Sequence, residues 1–357
     1  MAVVLEEMVE EDTGLGVEET VILSPAEVKK KIVVDDVVGS VLENRNVIQG
    51  ILDRIDERMI VITGPCSVHN YDSALEFAKY VKSLSEKFGD KMFFVMRAYV
   101  EKPRSVLGWK GFMNDVNLDA SCDIGKSVVE TRKLFYEIAK LGVPIATEFL
   151  GANEYKYVED LVSWAAIGAR TSESQPHAEI VSGLEIPVGF KNNTSGSIKS
   201  GVNAVVKSRQ SHVYLSVNDN GNYVRKRSHG NRYTHLILRG GFEPNYDSES
   251  VKEAVDLMES VGIRANIVVD CSHGNSGKDE LKQPEVFRDV LKQRLIGNDN
   301  IRGVMIESNF EQGSQKFKYG VSKINDLSPY ISITDAGISR EIHDELIREV
   351  YNKLVNN

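Results

Sequence analysis

The sequence predicts a (β/α)8 barrel, on three observations. From residue 59 onward, short apolar runs of strand length alternate with segments of helical periodicity. There are eight such runs, and eight parallel strands favour closure over the rival doubly wound open sheet. Every run ends in a reactive or charged residue. In a closed barrel all those ends gather at one rim, whereas in an open sheet only the ends near the switch point would meet.

The chain has 357 residues, 41% hydrophobic and 27% charged, ordinary for a globular protein with a large core. Its net charge of -9 and pI near 5.5 exclude general nucleic-acid binding, which needs a basic face, but not a local anion pocket. The three cysteines, Cys66, Cys122 and Cys271, have no knuckle or redox spacing, and an odd count cannot complete a disulfide framework. A reducing, cytoplasmic setting is expected. The acidic N-terminus lacks the basic-then-apolar order of a signal peptide, and no apolar run reaches membrane-spanning length, so no membrane association is expected.

Residues 1–57 are expected to form an N-terminal extension and 58–357 the catalytic barrel. Within the extension, residues 1–20 read as an acidic mobile arm, 21–23 as a short strand, and 37–55 as a helix. Strands are then expected at 59–63, 92–96, 143–149, 164–168, 187–191, 235–239, 265–270 and 301–307. Helices are expected at 73–84, opened by a Ser73–Glu76 capping box, at 123–141, closed by Gly142, and at 155–162, 174–182, 197–206, 250–261, 284–295 and 339–354. Residues 213–226 interrupt the alternation. Their two short runs about Asn218-Asp219-Asn220-Gly221 predict an inserted β-hairpin before the sixth barrel strand.

Two chemical sets stand at the strand ends. The first is cationic: Arg97, Lys102, Arg104, Arg170, Lys191 and Arg239. A single lysine or arginine is ordinarily a surface charge. A set in which most members directly follow a β-run converges on the barrel mouth and suits phosphate or carboxylate, with so many cations pointing to more than one anionic group. The Lys102-Pro103-Arg104 segment is stiff, because proline fixes its own φ and restricts the residue before it. The second set is Cys66, His273, Glu307 and Asp335. Singly these read as a buried thiol, a core histidine and two caps or salt-bridge partners. Together they offer sulfur, nitrogen and two oxygens to a divalent ion, and the mixed set fits Mn, Fe, Co or Zn without choosing among them. No Walker loop, dinucleotide fingerprint or nucleophile elbow is present.

Gly64-Pro65-Cys66-Ser67, Met96-Arg97-Ala98-Tyr99, Glu101-Lys102-Pro103-Arg104-Ser105, Gly108-Trp109-Lys110-Gly111, Gly168-Ala169-Arg170-Thr171, Pro187-Val188-Gly189-Phe190-Lys191-Asn192, Leu238-Arg239-Gly240-Gly241, Asp270-Cys271-Ser272-His273-Gly274-Asn275-Ser276 and Gly303-Val304-Met305-Ile306-Glu307-Ser308 give the chain a close likeness. It resembles the type I 3-deoxy-D-arabino-heptulosonate 7-phosphate (DAHP) synthases. The resemblance implies condensation of phosphoenolpyruvate with D-erythrose 4-phosphate, with release of phosphate, at the head of the shikimate pathway. It implies that Arg97, Lys102, Ala169, Arg170, Lys191 and Arg239 hold phosphoenolpyruvate, and that Arg104 and Ser105 hold the aldose phosphate. Cys66, His273, Glu307 and Asp335 match the family's metal ligands. Lys102, Glu148 and His273 are the expected catalytic groups, with Lys102 as proton donor to the aldehyde oxygen and Glu148 as acceptor of the water proton.

Type I members with N-terminal extensions usually bind an aromatic amino acid as inhibitor, near the inserted hairpin and a neighbouring subunit's arm. Leu215-Ser216-Val217 fit that pattern, while Tyr155, Glu185, Asn193 and Ser195 depart from it. An aromatic effector and a homodimer or homotetramer are expected. The rival aldose is arabinose 5-phosphate, used by the 3-deoxy-octulosonate 8-phosphate synthases. Their loop resembles Lys-Ala-Asn-Arg-Ser, against which Pro103 argues. A non-catalytic metal- or phosphate-sensing barrel is the rival of another class, disfavoured by the intact set of reactive groups.

Overall fold

The computed structural model of the chain describes residues 17–356. Its barrel strands are β1 (Met59–Gly64), β2 (Met92–Arg97), β3 (Ile145–Glu148), β4 (Trp164–Ile167), β5 (Val188–Lys191), β8 (Thr234–Leu238), β9 (Ile267–Asp270) and β10 (Ile301–Glu307). The hairpin strands β6 (Val213–Val217) and β7 (Tyr223–Arg227) fall between the fifth and sixth of these. The eight pair in parallel and close in the order β1-β10-β9-β8-β5-β4-β3-β2. Closure settles the choice between barrel and open sheet.

Apart from the half-buried Phe93, every residue of these eight strands is buried. That is why they read as unbroken apolar runs and not as alternating ones. Alternation survives in the packing. Ile60, Ile62, Val95, Ala146, Trp164, Ala166, Ile237, Val268 and Met305 fill the interior. Their neighbours Val61, Phe94, Ile145, Ala165, Phe190, Leu236 and Val269 pack outward under the helices. Gly189 is required inside, because a Cβ there would lie 2.5 Å from Ile237 Cδ1 and 2.8 Å from the Trp164 ring. Trp164 Nε1 donates to His235 Nε2 at 3.0 Å, which leaves the His235 proton on Nδ1, 3.1 Å from the Tyr233 carbonyl.

Helices α1 (Pro25–Lys31) and α2 (Asp35–Leu52) precede the barrel. Ile48, Ile51 and Leu52 of α2 join the barrel-interior cluster and plug its floor. The outer helices are α3 (Tyr71–Phe88), α4 (Ile124–Lys140), α5 (Gln175–Ser182), α6 (Ile198–Ser208), α7 (Ser248–Ser260), α8 (Gln283–Leu295) and α9 (Arg340–Val355). The last helix is locked to the first strand through wholly buried His343. Its Nε2 lies 2.9 Å from Thr63 Oγ1 and its Nδ1 2.7 Å from Tyr80 Oη, while Tyr80 Oη donates to Asp344 at 2.7 Å. Since the tyrosine proton goes to Asp344, Nδ1 must donate to Tyr80, and burial keeps the imidazole neutral, so that Nε2 accepts from Thr63.

Three local expectations are corrected. Residues 21–23 form no strand. They run as irregular chain whose Leu23 carbonyl accepts from Tyr157 Oη at 2.8 Å. The capping residue of α3 is Asn70, which accepts from Ser73 N at 2.9 Å and starts the helix earlier than the expected Ser73–Glu76 box. The segment expected as a helix at 155–162 is two 3-10 turns, Glu154–Tyr157 and Glu159–Leu161. Guanidinium groups take the carbonyls an α-helix would use: Arg132 bonds Tyr157 O, and Arg45 bonds Glu159 O and Val162 O. Of the expected mobile arm, residues 1–16 lie outside the described residues. The hairpin turn is anchored to α1, where Lys29 pairs with Asp219 at 2.8 Å and Ala26 N donates to Asp219 O.

Candidate active site

The strand ends place most of the predicted residues at one mouth. Arg97 ends β2, Glu148 ends β3, Lys191 ends β5 and Glu307 ends β10. Arg239 directly follows β8, and Arg170 lies just beyond β4. A cavity of about 400 Å³ opens there, lined by Arg97, Lys102, Arg104, Glu148, Ala169, Arg170, Lys191, Arg239, His273 and Asp335. Cys66 and Glu307 lie beneath this lining, each 1% exposed. Ser105 stands outside it, accepting from Arg170 Nε at 3.2 Å.

Beneath the mouth, ligand atoms of Cys66, Glu307 and Asp335 lie within 4.8 Å of one another. His273 flanks this group, with Nε2 3.7 Å from Glu307 Oε1. Its backbone adopts φ 57°, uncommon for a non-glycine residue and typical of strain held at a functional position. His273 Nδ1 lies 2.9 Å from Asp270 Oδ2 and 2.7 Å from Ser272 Oγ, whose own proton goes to Asp270 Oδ1. Nδ1 therefore carries the imidazole proton and Nε2 presents its lone pair to the group. His273 is not itself within that 4.8 Å group, but the thiol and two carboxylates gathered there, with the imidazole nitrogen beside Glu307, are the donor chemistry of a borderline transition metal.

The cations are interleaved with these donors. Arg97 pairs with Glu307 Oε1 at 2.8 Å and donates to the Pro65 and Cys66 carbonyls, with its guanidinium 3.6 Å from the centre of the Tyr99 ring. Lys102 Nζ lies 3.1 Å from Cys66 Sγ and 3.2 Å from Cys66 O. Lys191 pairs with Asp270 Oδ2 at 2.8 Å. Burial, with Glu307 beside it, pushes the Cys66 thiol up. Burial pulls the Lys102 ammonium down, but Cys66 and Glu307 outweigh it and raise the group. For Asp270, burial acts upward and is overruled by His273 and Lys191, which hold the carboxyl well below its usual range. Asp335 is likewise lowered against burial, by Lys102 and His273.

Glu148 is buried, and its Oε1 has no hydrogen-bond partner. A Cβ on Gly168 would sit 2.1 Å from that atom, so the glycine of the Gly-Ala-Arg motif is there to leave room for the carboxylate. The 97–112 loop folds back on itself. Lys102 N donates to Lys110 O at 2.8 Å, Arg104 Nε to Trp109 O at 2.7 Å, and Trp109 Nε1 to Asp115 O at 2.8 Å.

Sequence reasoning missed Asp270, Lys278 and Gln283. Asp270 carries the same strand-end signal as the others, but the sequence offers the more reactive His273 three residues on. Lys278 lines the cavity and lies 3.8 Å from Asp335 Oδ1, yet it sits in a turn at φ 63° and has no strand-end signal. Gln283 clasps the Glu307 backbone from both sides, accepting at 2.8 Å and donating at 3.0 Å.

The family model described as the DAHP synthetase I family matches residues 31–348. The Tyr-sensitive phospho-2-dehydro-3-deoxyheptonate aldolase of Salmonella typhimurium is 42% identical over 316 residues, 88% of this chain and 88% of that protein. The Trp-sensitive aldolase of Shigella flexneri is 39% identical over 330 residues, 92% of this chain and 94% of that one. The structure of phospho-2-dehydro-3-deoxyheptonate aldolase from Francisella tularensis superposes with a TM-score of 0.91 at 36% identity, covering 95% of this chain and 98% of its own.

Proposed function

The chain belongs to the DAHP synthetase I family and condenses phosphoenolpyruvate with erythrose 4-phosphate, the first step of the shikimate pathway; on that premise we propose how its own residues divide the work. Arg97, Lys102, Arg170, Lys191 and Arg239, with Ala169, hold phosphoenolpyruvate, and Arg104 with Ser105 holds the phosphate of the aldose. The observation that carries this reading is that seven cations, the six predicted ones and Lys278, share a single cavity of about 400 Å³ with one buried carboxylate, Glu148, whose Oε1 has no partner. Two phosphorylated substrates require that concentration of positive charge.

Cys66, His273, Glu307 and Asp335 would hold a divalent ion, of which Mn, Fe, Co and Zn all suit the donors. Bound there, such an ion supplies Lewis-acid polarisation of the aldehyde carbonyl. The cations fix phosphoenolpyruvate so that its C3 faces that carbonyl carbon. As the C3–C1 bond forms, Lys102 gives a proton to the aldehyde oxygen and positive charge develops at C2 of the former phosphoenolpyruvate. Water adds at C2 and Glu148 takes its proton. The phosphohemiketal then releases phosphate by C–O cleavage, its charge stabilised by the guanidinium groups. His273 acts as ligand and catalytic group together, and its fixed tautomer keeps Nε2 directed into the site.

An aromatic amino acid as effector is proposed from the names of the Tyr-sensitive and Trp-sensitive relatives. The proposed place is where α1 meets the hairpin turn, in a homodimer or homotetramer. One assay tests the set: phosphate release from phosphoenolpyruvate with erythrose 4-phosphate or arabinose 5-phosphate, after chelation and return of single ions, with Phe, Tyr and Trp titrated in turn. Turnover with the four-carbon aldose alone is expected. Full activity in chelated enzyme would sink the metal assignment, and no response to any of the three amino acids would sink the effector.

A further inference from the structure

Asp270 is the last residue of β9, is wholly buried, and belongs to neither the proposed ligand set nor the proposed substrate set. Its carboxylate nevertheless touches both. Oδ2 lies 2.8 Å from Lys191 Nζ and 2.9 Å from His273 Nδ1. Oδ1 is occupied by Ser272, which donates its backbone N–H at 3.0 Å and its hydroxyl at 2.5 Å. The backbone is pinned as well, since Asn275 Nδ2 donates to Asp270 O at 2.9 Å and Cys271 N to Met305 O at 2.8 Å. Among the described residues, Asp270 is the one carboxylate in ion-pair contact with Lys191.

We infer that Asp270 is a positioning residue that couples the two halves of the site, holding the ligand imidazole of His273 and the substrate ammonium of Lys191 on one carboxylate oxygen. The inference rests on the ligand and substrate assignments proposed above. Its physical basis is competition for the charge of a single oxygen. A metal ion on His273 Nε2 makes the Nδ1 proton more acidic and strengthens its bond to Oδ2. The Lys191 ion pair is weakened to the same extent, and the ammonium is released toward the anionic substrate. In the other direction, phosphoenolpyruvate draws Lys191 away and leaves more of the carboxylate charge to His273, which makes Nε2 a stronger donor. Each ligand then tightens the other by the same factor, as linkage requires.

The test measures Mn2+ affinity by competition with a chromogenic chelator, with and without saturating phosphoenolpyruvate, so its readout does not depend on turnover. Wild-type enzyme is expected to bind Mn2+ roughly 5- to 150-fold more tightly when phosphoenolpyruvate is present. Asp270→Asn is expected to lose about 10- to 100-fold in Mn2+ affinity and most of that enhancement. Lys191→Gln, without phosphoenolpyruvate, is expected to bind Mn2+ several-fold more tightly, because Asp270 then serves His273 alone. In the Asp270→Asn background the same Lys191 change is expected to do little. An equal effect of Lys191→Gln in both backgrounds would overturn the coupling, as would an intact enhancement in Asp270→Asn. Should Asp270→Asn not fold, Lys191→Arg replaces it: arginine keeps the ion pair and should restore wild-type Mn2+ affinity, whereas an affinity unmoved by Lys191→Gln overturns the inference. A wild type that takes no Mn2+, or a Cys66→Ala enzyme that binds it undiminished, overturns the ligand assignment itself. That control is read before the Asp270 and Lys191 variants, so the two failures are distinguishable.

Discussion

Acid should loosen this barrel through His343, and the size of the effect follows from where the residue sits. Burial pulls its imidazole from 6.5 to about 4, against a smaller opposing pull from Asp344. Between those values the unfolded chain binds a proton that the folded protein refuses. Stability is therefore complete above about pH 6.5 and is lost as pH falls toward about 4. At about 1.4 kcal/mol per pH unit, the loss from His343 alone is about 2 kcal/mol by pH 5. His235, lowered to about 4 by burial in the barrel interior, adds a loss of the same sign and size. Glu101 runs the other way: burial, with Glu154 nearby, raises it to about 8, so it disfavours folding as pH rises from about 4.5. The isolating perturbation is His343→Gln. Urea unfolding followed by tryptophan fluorescence at pH 7.5, 6.5, 5.5 and 5.0 gives the difference in stability between wild type and variant at each pH, and the other groups cancel from it. The variant is expected to be the less stable at pH 7.5, through loss of the Thr63 and Tyr80 bonds, and that deficit should shrink by about 2 kcal/mol at pH 5. A deficit that does not change with pH would refute the assignment of a neutral imidazole clamped between β1 and α3.

The remaining predictions concern the mouth. Glu148→Gln should lower kcat about 100-fold or more with little change in phosphoenolpyruvate affinity, measured by steady-state phosphate release; a change confined to KM would assign Glu148 to binding. Gly168→Ala should push the Glu148 carboxylate aside, since the new methyl would lie 2.1 Å from its Oε1, and lower kcat more than thermal stability; normal turnover would mean the oxygen has no fixed task. Cys66→Ala should lower metal affinity at least 10-fold in chelator competition, and unaltered binding would remove that ligand. Lys102→Met should lose turnover beyond what saturating phosphoenolpyruvate restores; recovery of full kcat at saturation would limit Lys102 to binding.

Much of this architecture is legible in the sequence because a strand buried on both faces has little choice but to be apolar throughout, and its polar terminus then marks the rim. Arg97, Glu148, Lys191 and Glu307 are found by that rule. Asp270 obeys it too, but the chemically richer His273 three residues on masks it. Asp335 lies on a loop whose course is set by contacts distant in sequence, such as the bridges Ser308–Ile338 and Gly313–Gly337, and Lys278 sits in a turn beyond its strand end, where that rule does not reach. The 3-10 turns after β3 read as a helix for a related reason. The groups that satisfy their carbonyls, Arg45 and Arg132, belong to other helices, and helical periodicity carries no information about them. Asn70 in place of Ser73 is a smaller matter of two capping residues competing within one turn.

The seam between β1 and β10 sets an order on biosynthesis. Gly64 pairs with Glu307, so the first barrel strand waits for the last before its open edge is covered. Seven strands can emerge and pair in sequence, but a nascent chain short of β10 carries two unpaired parallel edges, the state most exposed to wrong partners. The same seam brings Cys66, from the start of the barrel, to Glu307, at its end. A chain cut short before Glu307, or one whose final strand has strayed, lacks half of that pair. Closure of the barrel and the meeting of Cys66 with Glu307 are thus a single event.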